Sequence, residues 1–154
     1  DDDGVAMMRL EAGVKALLTA SQIAVGEANG VNIRIYGEKA SLRWVQMDPN
    51  RLIIKSGGNR EEIIHIGGNH PDLGKAALWN IRTPGGHPEG FIEAFANIYR
   101  NFTLTVMAHR SGEQPTPEML DFPNVQDGVR GMQFIETIVK AGWNDEQKWV
   151  KWEE

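Results

Sequence analysis

The sequence predicts an α+β fold: an open-faced, mainly antiparallel sheet of about six strands with helices packed on one face. Three observations lead there. Residues 1–66 alternate apolar and polar side chains at strand period, while the later residues repeat at three- and four-residue steps. Short turn signals separate the early strands, and no crossover helix lies between them, so parallel pairing is not expected. Strands first and helices afterwards is the order of an α+β domain.

The first strand is expected over Val5 to Leu10. Glu11-Ala12-Gly13 turns the chain into a second strand, Val14 to Val25, making a hairpin. Val31 to Tyr36 alternates cleanly, with Val31, Ile33 and Ile35 on one face. Gly37-Glu38-Lys39-Ala40 leads into Ser41 to Gln46, where Leu42 and Trp44 share a face. Asp48-Pro49-Asn50 is a strong turn signal. Leu52 to Lys55 and Glu62 to Ile66 follow as short strands joined through Ser56-Gly57-Gly58-Asn59.

Residues 67–86 are rich in Gly, Pro and Asn, with room for a short helix near Asp72 to Trp79. Pro88 suits the first position of a long helix, because its missing N–H would go unused there. Phe91, Phe95, Tyr99, Phe102 and Val106 then form an expected core stripe. Asn124 and Asp127 resemble a capping box for a last helix, with Val129, Met132, Ile135 and Val139 buried and Gly142 as its stop. Trp149 to Trp152 reads as a final strand. An uncovered apolar sheet face would be a large exposed patch, so self-association by sheet packing is expected.

Composition narrows the class of function. Of 154 residues, 41% are apolar and 24% charged, ordinary for a globular domain. Sixteen basic against 21 acidic residues give a net charge of −5, and the basic ones are scattered; a nucleic-acid partner is not expected. Cysteine is lacking, so disulfides and thiolate metal sites are excluded. No apolar run approaches the ~18 residues that a membrane span needs, and the acidic Asp1-Asp2-Asp3 start is unlike a signal peptide. A cytoplasmic location is the expectation.

Several constellations could carry chemistry. Gly86-His87-Pro88-Glu89-Gly90 would place His87 at a helix N-cap and Glu89 in the first turn, where both could hydrogen-bond hydroxyl groups; simple helix capping is the plainer alternative. His65, His70 and His87 with Asp72 or Glu89 have ligand chemistry for zinc but match no ligand motif, and no metal site is expected. Glu89 and Glu93 would share a helix face, which a solvated surface explains as well as acid–base chemistry does. Neither GxGxxG nor GxxxxGK[ST] occurs in the chain.

Taken in order, Ser21-Gln22, IYGEKASLRW (35–44), DPNRL (48–52), GHPEGFIEAFANIYRNF (86–102) and FPNVQDGVRGMQFIE (122–136) resemble one family. It is the C-terminal domain of the glucose-fructose oxidoreductase, inositol dehydrogenase and MocA family, closest to levoglucosan-dehydrogenase-like sugar oxidoreductases. The resemblance covers nearly the whole chain. It implies a single C-terminal substrate-binding and oligomerisation domain over 1–154, whose parent carries a separate Rossmann domain for NAD(P). It further implies a sugar or polyol substrate and homodimers or tetramers through the open sheet face. The family's catalytic Glu-Lys-Pro lysine and its Asp-x-x-x-His pair have no counterpart here, so no catalytic and no cofactor-binding residue is expected in this chain. His87 and Asn29 fall where relatives place substrate contacts, with Arg82 and Glu89 beside them. A stand-alone dimerisation or carbohydrate-binding module is the alternative.

Overall fold

The computed structural model describes residues 2–67, 71, 73–146 and 149–152. The strands precede the helices, as the α+β reading requires, and every strand pairing is antiparallel. The six strands divide into a two-stranded and a four-stranded sheet. The chain likewise divides into two compact units, one of residues 1–28 with 124–154 and the other of residues 29–123.

In the first unit, β1 (Asp3–Arg9) and β2 (Lys15–Ser21) form the expected hairpin. Ala12 (φ 61°) and Gly13 (φ 79°) make the left-handed turn. The second strand stops at Ser21, four residues short of the expected end, where the Ser21 hydroxyl accepts the Ile23 N–H and competes with strand pairing. The third helix, α3 (Val125–Trp143), starts as its capping box predicts: Asn124 Oδ1 accepts from Gln126 N and Asp127 N, and Asp127 Oδ2 accepts from Asn124 N. It runs through Gly142 and stops at Asn144. Its stripe is less covered than expected, with Met132 58% exposed. Trp149 to Trp152 is not a strand. Its indoles instead meet Arg9 and the α3 side chains Phe134 and Arg130, so side-chain stacking takes the place of ladder pairing.

The second unit is built on β3 (Asn32–Tyr36), β4 (Ala40–Val45), β5 (Arg51–Ser56) and β6 (Arg60–His65), paired in chain order. Register puts Ile33, Trp44, Leu52 and Ile64 in one row, with Ile35, Leu42 and Ile54 beside them. Ile64, on the edge strand β6, is the most buried residue of this apolar face at 6% exposed. The opposite face carries Arg34, Arg43, Ile53 and Ile63 in one row and Tyr36, Ser41, Lys55 and Glu61 in the next. Leu42 and Trp44 therefore belong to the apolar face, and the other face is mainly polar.

Helices α1 (Lys75–Asn80) and α2 (Phe91–Arg110) follow. The aromatic stripe of α2 is not its buried side: Phe95 is 48% exposed, while Asn101, Thr105 and Ala108 are buried. The cause is a polar partner. Thr105 Oγ1 donates to Met119 O, and Asn101 donates to Asp121 O, so the 119–121 turn claims the face that carries hydroxyl and amide groups. Phe102 does pack edge-on against Phe122.

Candidate functional site

The expected site residues Arg82, His87 and Glu89 lie in one loop between α1 and α2, and the structure fixes that loop at three points. The first is Asn50, at the β4–β5 turn. Its amide donates to Glu89 O at 2.7 Å and accepts from Glu89 N at 2.8 Å, a two-point pairing across 39 residues. Asn50 is itself held by a turn that the Trp44 indole N–H binds through Pro49 O and that an Asp48–Arg51 ion pair closes.

The second point is the Glu89 carboxylate, 9% exposed as a residue. Its Oε1 accepts from Arg82 N and Thr83 N, each at 2.5 Å, and from the Thr83 hydroxyl at 3.0 Å. A carboxylate accepting several N–H bonds is a strong anchor, because charged acceptors form hydrogen bonds about twice as strong as neutral ones. The third point is a backbone crossing. A Cβ on Gly85 would sit 2.6 Å from Gly67 O, so only glycine lets the two strands of chain approach.

These anchors change the expected local structure. Glu89 is locked by Asn50 before the helix begins, so α2 opens at Phe91 with Gly90 as its N-cap. His87 is not a cap, Pro88 is not the first helical residue, and Glu89 and Glu93 do not share a helix face. Glu93 Oε2 accepts the Gly90 N–H at 2.9 Å, and that bond together with its own N–H holds the Glu93 carboxyl below its ordinary value.

His87 is exposed at the loop tip. Its Nδ1 lies 3.2 Å from Pro84 O, and its carbonyl accepts from the Thr83 hydroxyl. A carbonyl only accepts, so Nδ1 is the donor in that contact, and in the matching neutral tautomer Nε2 is the acceptor. Arg82 closes the C-terminus of α1: its guanidinium donates to Trp79 O and Asn80 O. Asn97 adds a bond to Asn80 O at 2.7 Å. Among the described residues, no hydrogen bond or ion pair ties Asn29 to this loop.

Behind the loop, Asn101 (1% exposed) joins α1 to α2. It accepts from the Trp79 indole and from Arg100, and donates to Asn80 Oδ1 and Asp121 O. The Arg100 guanidinium lies 4.4 Å from the centre of the Trp79 ring. Of the metal-type ligands, His65 stands on β6 and His87 in the loop, while His70 and Asp72 lie outside the described residues. No group of three acidic or histidine side chains that could hold a metal occurs among the described residues. None of the described helices is long and apolar enough to cross a membrane.

Residues 1–151 match the family described as the oxidoreductase family, C-terminal alpha/beta domain, of the glucose-fructose oxidoreductase, inositol dehydrogenase and MocA type. This chain belongs to that family. An uncharacterized oxidoreductase of Bacillus subtilis, YfiI, is 30% identical over 98% of this chain and 38% of its own length. An oxidoreductase structure from Pseudomonas syringae is 32% identical, with a TM-score of 0.85 over 99% of this chain and 41% of that one. An inositol dehydrogenase homologue from Azotobacter vinelandii, complexed with NADH and myo-inositol, is 30% identical with a TM-score of 0.80, covering 91% of this chain and 36% of that one. The chain thus spans about two fifths of the length of these relatives.

Membership of this oxidoreductase family agrees with the architecture: antiparallel sheets followed by helices, an α+β domain. Asn50 is the positioning residue that reading the sequence missed. It was visible only as turn chemistry, because its true partner, the Glu89 backbone, is distant in the chain. Gly85 left no local signal either; its role lies in the approach of Gly67.

Proposed function

We propose that the parent protein transfers a hydride between a nicotinamide cofactor and a carbinol carbon of a sugar or polyol, and that this chain supplies one wall of the substrate site. Family membership and the relative complexed with NADH and myo-inositol support this reading. The observation that carries it is the anchored loop 82–89, which sets His87 outward with its Nδ1–H held by a carbonyl. A neutral imidazole presenting Nε2 accepts a hydroxyl hydrogen bond, the contact that orients a polyol.

Within that site His87 is the hydroxyl acceptor and Arg82 a donor at the same rim. Glu89 acts through the loop that it anchors, and Asn29 is a further substrate contact. NAD(P), when bound, accepts or supplies the hydride; in this reading its domain and the proton-transferring lysine belong to the rest of the parent. The chain also supplies an assembly surface, the four-stranded sheet face that carries Ile53 and Ile63 between charged residues. A cytoplasmic enzyme is consistent with cysteine-free composition.

The test is NAD(P)-dependent turnover by the full-length protein across a broad sugar and polyol panel, with light scattering for assembly. Turnover of at least one polyol by a dimer or tetramer is expected. Turnover of none would overturn the enzymatic reading, and a strict monomer at high concentration the assembly.

A further inference from the structure

We propose that Arg82 and Arg100, both held against Trp79, bind one oxyanion of the substrate, so that the parent acts on an acidic sugar or polyol. This deepens the reading of loop 82–89 as substrate-facing and rests on it. Three observations carry the inference.

The first is proximity of two like charges. Arg100 stacks over the Trp79 ring at 4.4 Å, while Arg82 donates to the carbonyl of the same Trp79. Burial, and after it the Arg82 charge, lowers the proton affinity of Arg100. Like charges side by side are unfavourable unless something negative compensates them.

The second is the lack of a compensating ion pair. Among the described residues, neither arginine has a salt bridge. Among the described residues, Glu89 accepts from the Arg82 and Thr83 backbone and Asp121 from the Asn80 amide at 2.9 Å. Helix closure and indole stacking do not by themselves call for two cations.

The third is donor capacity. A guanidinium has five N–H groups. Arg82 commits donors to Trp79 O and Asn80 O, and Arg100 to Asn101 Oδ1. Several N–H groups of each therefore remain for a ligand, in the planar fork that matches carboxylate or phosphate oxygens. Arg82 shares its loop with His87, which ties the arginine pair to the loop read as substrate-facing.

The experiment is calorimetric binding to the full-length protein of D-glucose, D-glucuronate and D-glucose 6-phosphate; the two acids separate a carboxylate from a phosphate ligand. At least one acid is expected to bind tenfold or more tightly than glucose, and added salt should weaken the acid alone. Arg100→Gln should bring the acid to parity with glucose, and Arg100→Lys, which keeps the charge, should retain part of the preference. Arg82→Gln should act in the same direction. Glucose binding as tightly as both acids would overturn the inference while leaving the substrate-facing loop intact. So would Arg100→Gln and Arg100→Lys weakening glucose and acids equally, the mark of a structural role. Binding of neither acid would overturn it too; if glucose and every other polyol also failed to bind, the substrate-facing reading would fall with it.

Discussion

Replacing Glu89 by Gln keeps the side chain's size and an accepting oxygen but removes the charge that holds loop 82–89. Three donors converge on Oε1: Arg82 N, Thr83 N and the Thr83 hydroxyl. Hydrogen bonds to charged groups contribute about 1.5–3 kcal/mol each, against about 1 kcal/mol for neutral ones. Losing charge assistance at three bonds, with partial relaxation, should destabilise by about 2 kcal/mol. Glu89→Ala leaves two backbone N–H groups without this partner, at about 1–3 kcal/mol each, so about 3–4 kcal/mol is expected. Urea unfolding reads both, and thermal unfolding should fall by roughly 4–8 °C for Glu89→Gln at about 2–4 °C per kcal/mol. If both variants lie within about 0.5 kcal/mol of the parent, the range of an ordinary surface substitution, the carboxylate is not the anchor.

Three further outcomes follow from the same geometry. Gly85→Ala forces a methyl to within 2.6 Å of Gly67 O and should destabilise by at least about 1 kcal/mol, whereas Gly57→Ala, in open space, should change the urea midpoint little. Asn101→Ala strands the Trp79 indole N–H and the Asp121 carbonyl at a 1%-exposed position and should cost about 2–4 kcal/mol in urea unfolding. Glu93, whose carboxyl is held below 4.5 in the folded chain, stabilises the start of α2 fully above pH 4.5 and loses that contribution as pH falls through its depressed value. NMR titration should show its midpoint below 4.5 and, after Glu93→Gln, a first turn of α2 that no longer responds to acid in this range.

Local chemistry was legible wherever the deciding partner lay nearby in the chain. The β1–β2 turn, the β3–β4 alternation and the Asn124–Asp127 box all have partners within a few residues, and the structure shows each. The start of α2 was not legible in Pro88, because Asn50 captures the Glu89 backbone from 39 residues away. The aromatic spacing of α2 named the wrong face, since periodicity reports amphipathicity but not the polarity of the neighbour. Asn101 and Thr105 are buried because the 119–121 turn offers carbonyls to them. Trp149–Trp152 has strand composition, yet its indoles stack on Arg9, Arg130 and Phe134. For the site, the resemblance points to His87 and Asn29 first and to Arg82 and Glu89 beside them. Among the described residues, no hydrogen bond or ion pair ties Asn29 to loop 82–89, which holds His87, Arg82 and Glu89. Their division into an outward acceptor, a helix-closing cation and an internal anchor needed coordinates.

That division makes the role of His87 the central claim, and one measurement tests it most directly. A crystal structure of the full-length protein with nicotinamide cofactor and a turned-over polyol should place His87 Nε2 within about 3.2 Å of a substrate hydroxyl, with Nδ1 still on Pro84 O. A polyol bound in that site with His87 turned away, and no other side chain of loop 82–89 in contact, would contradict the account.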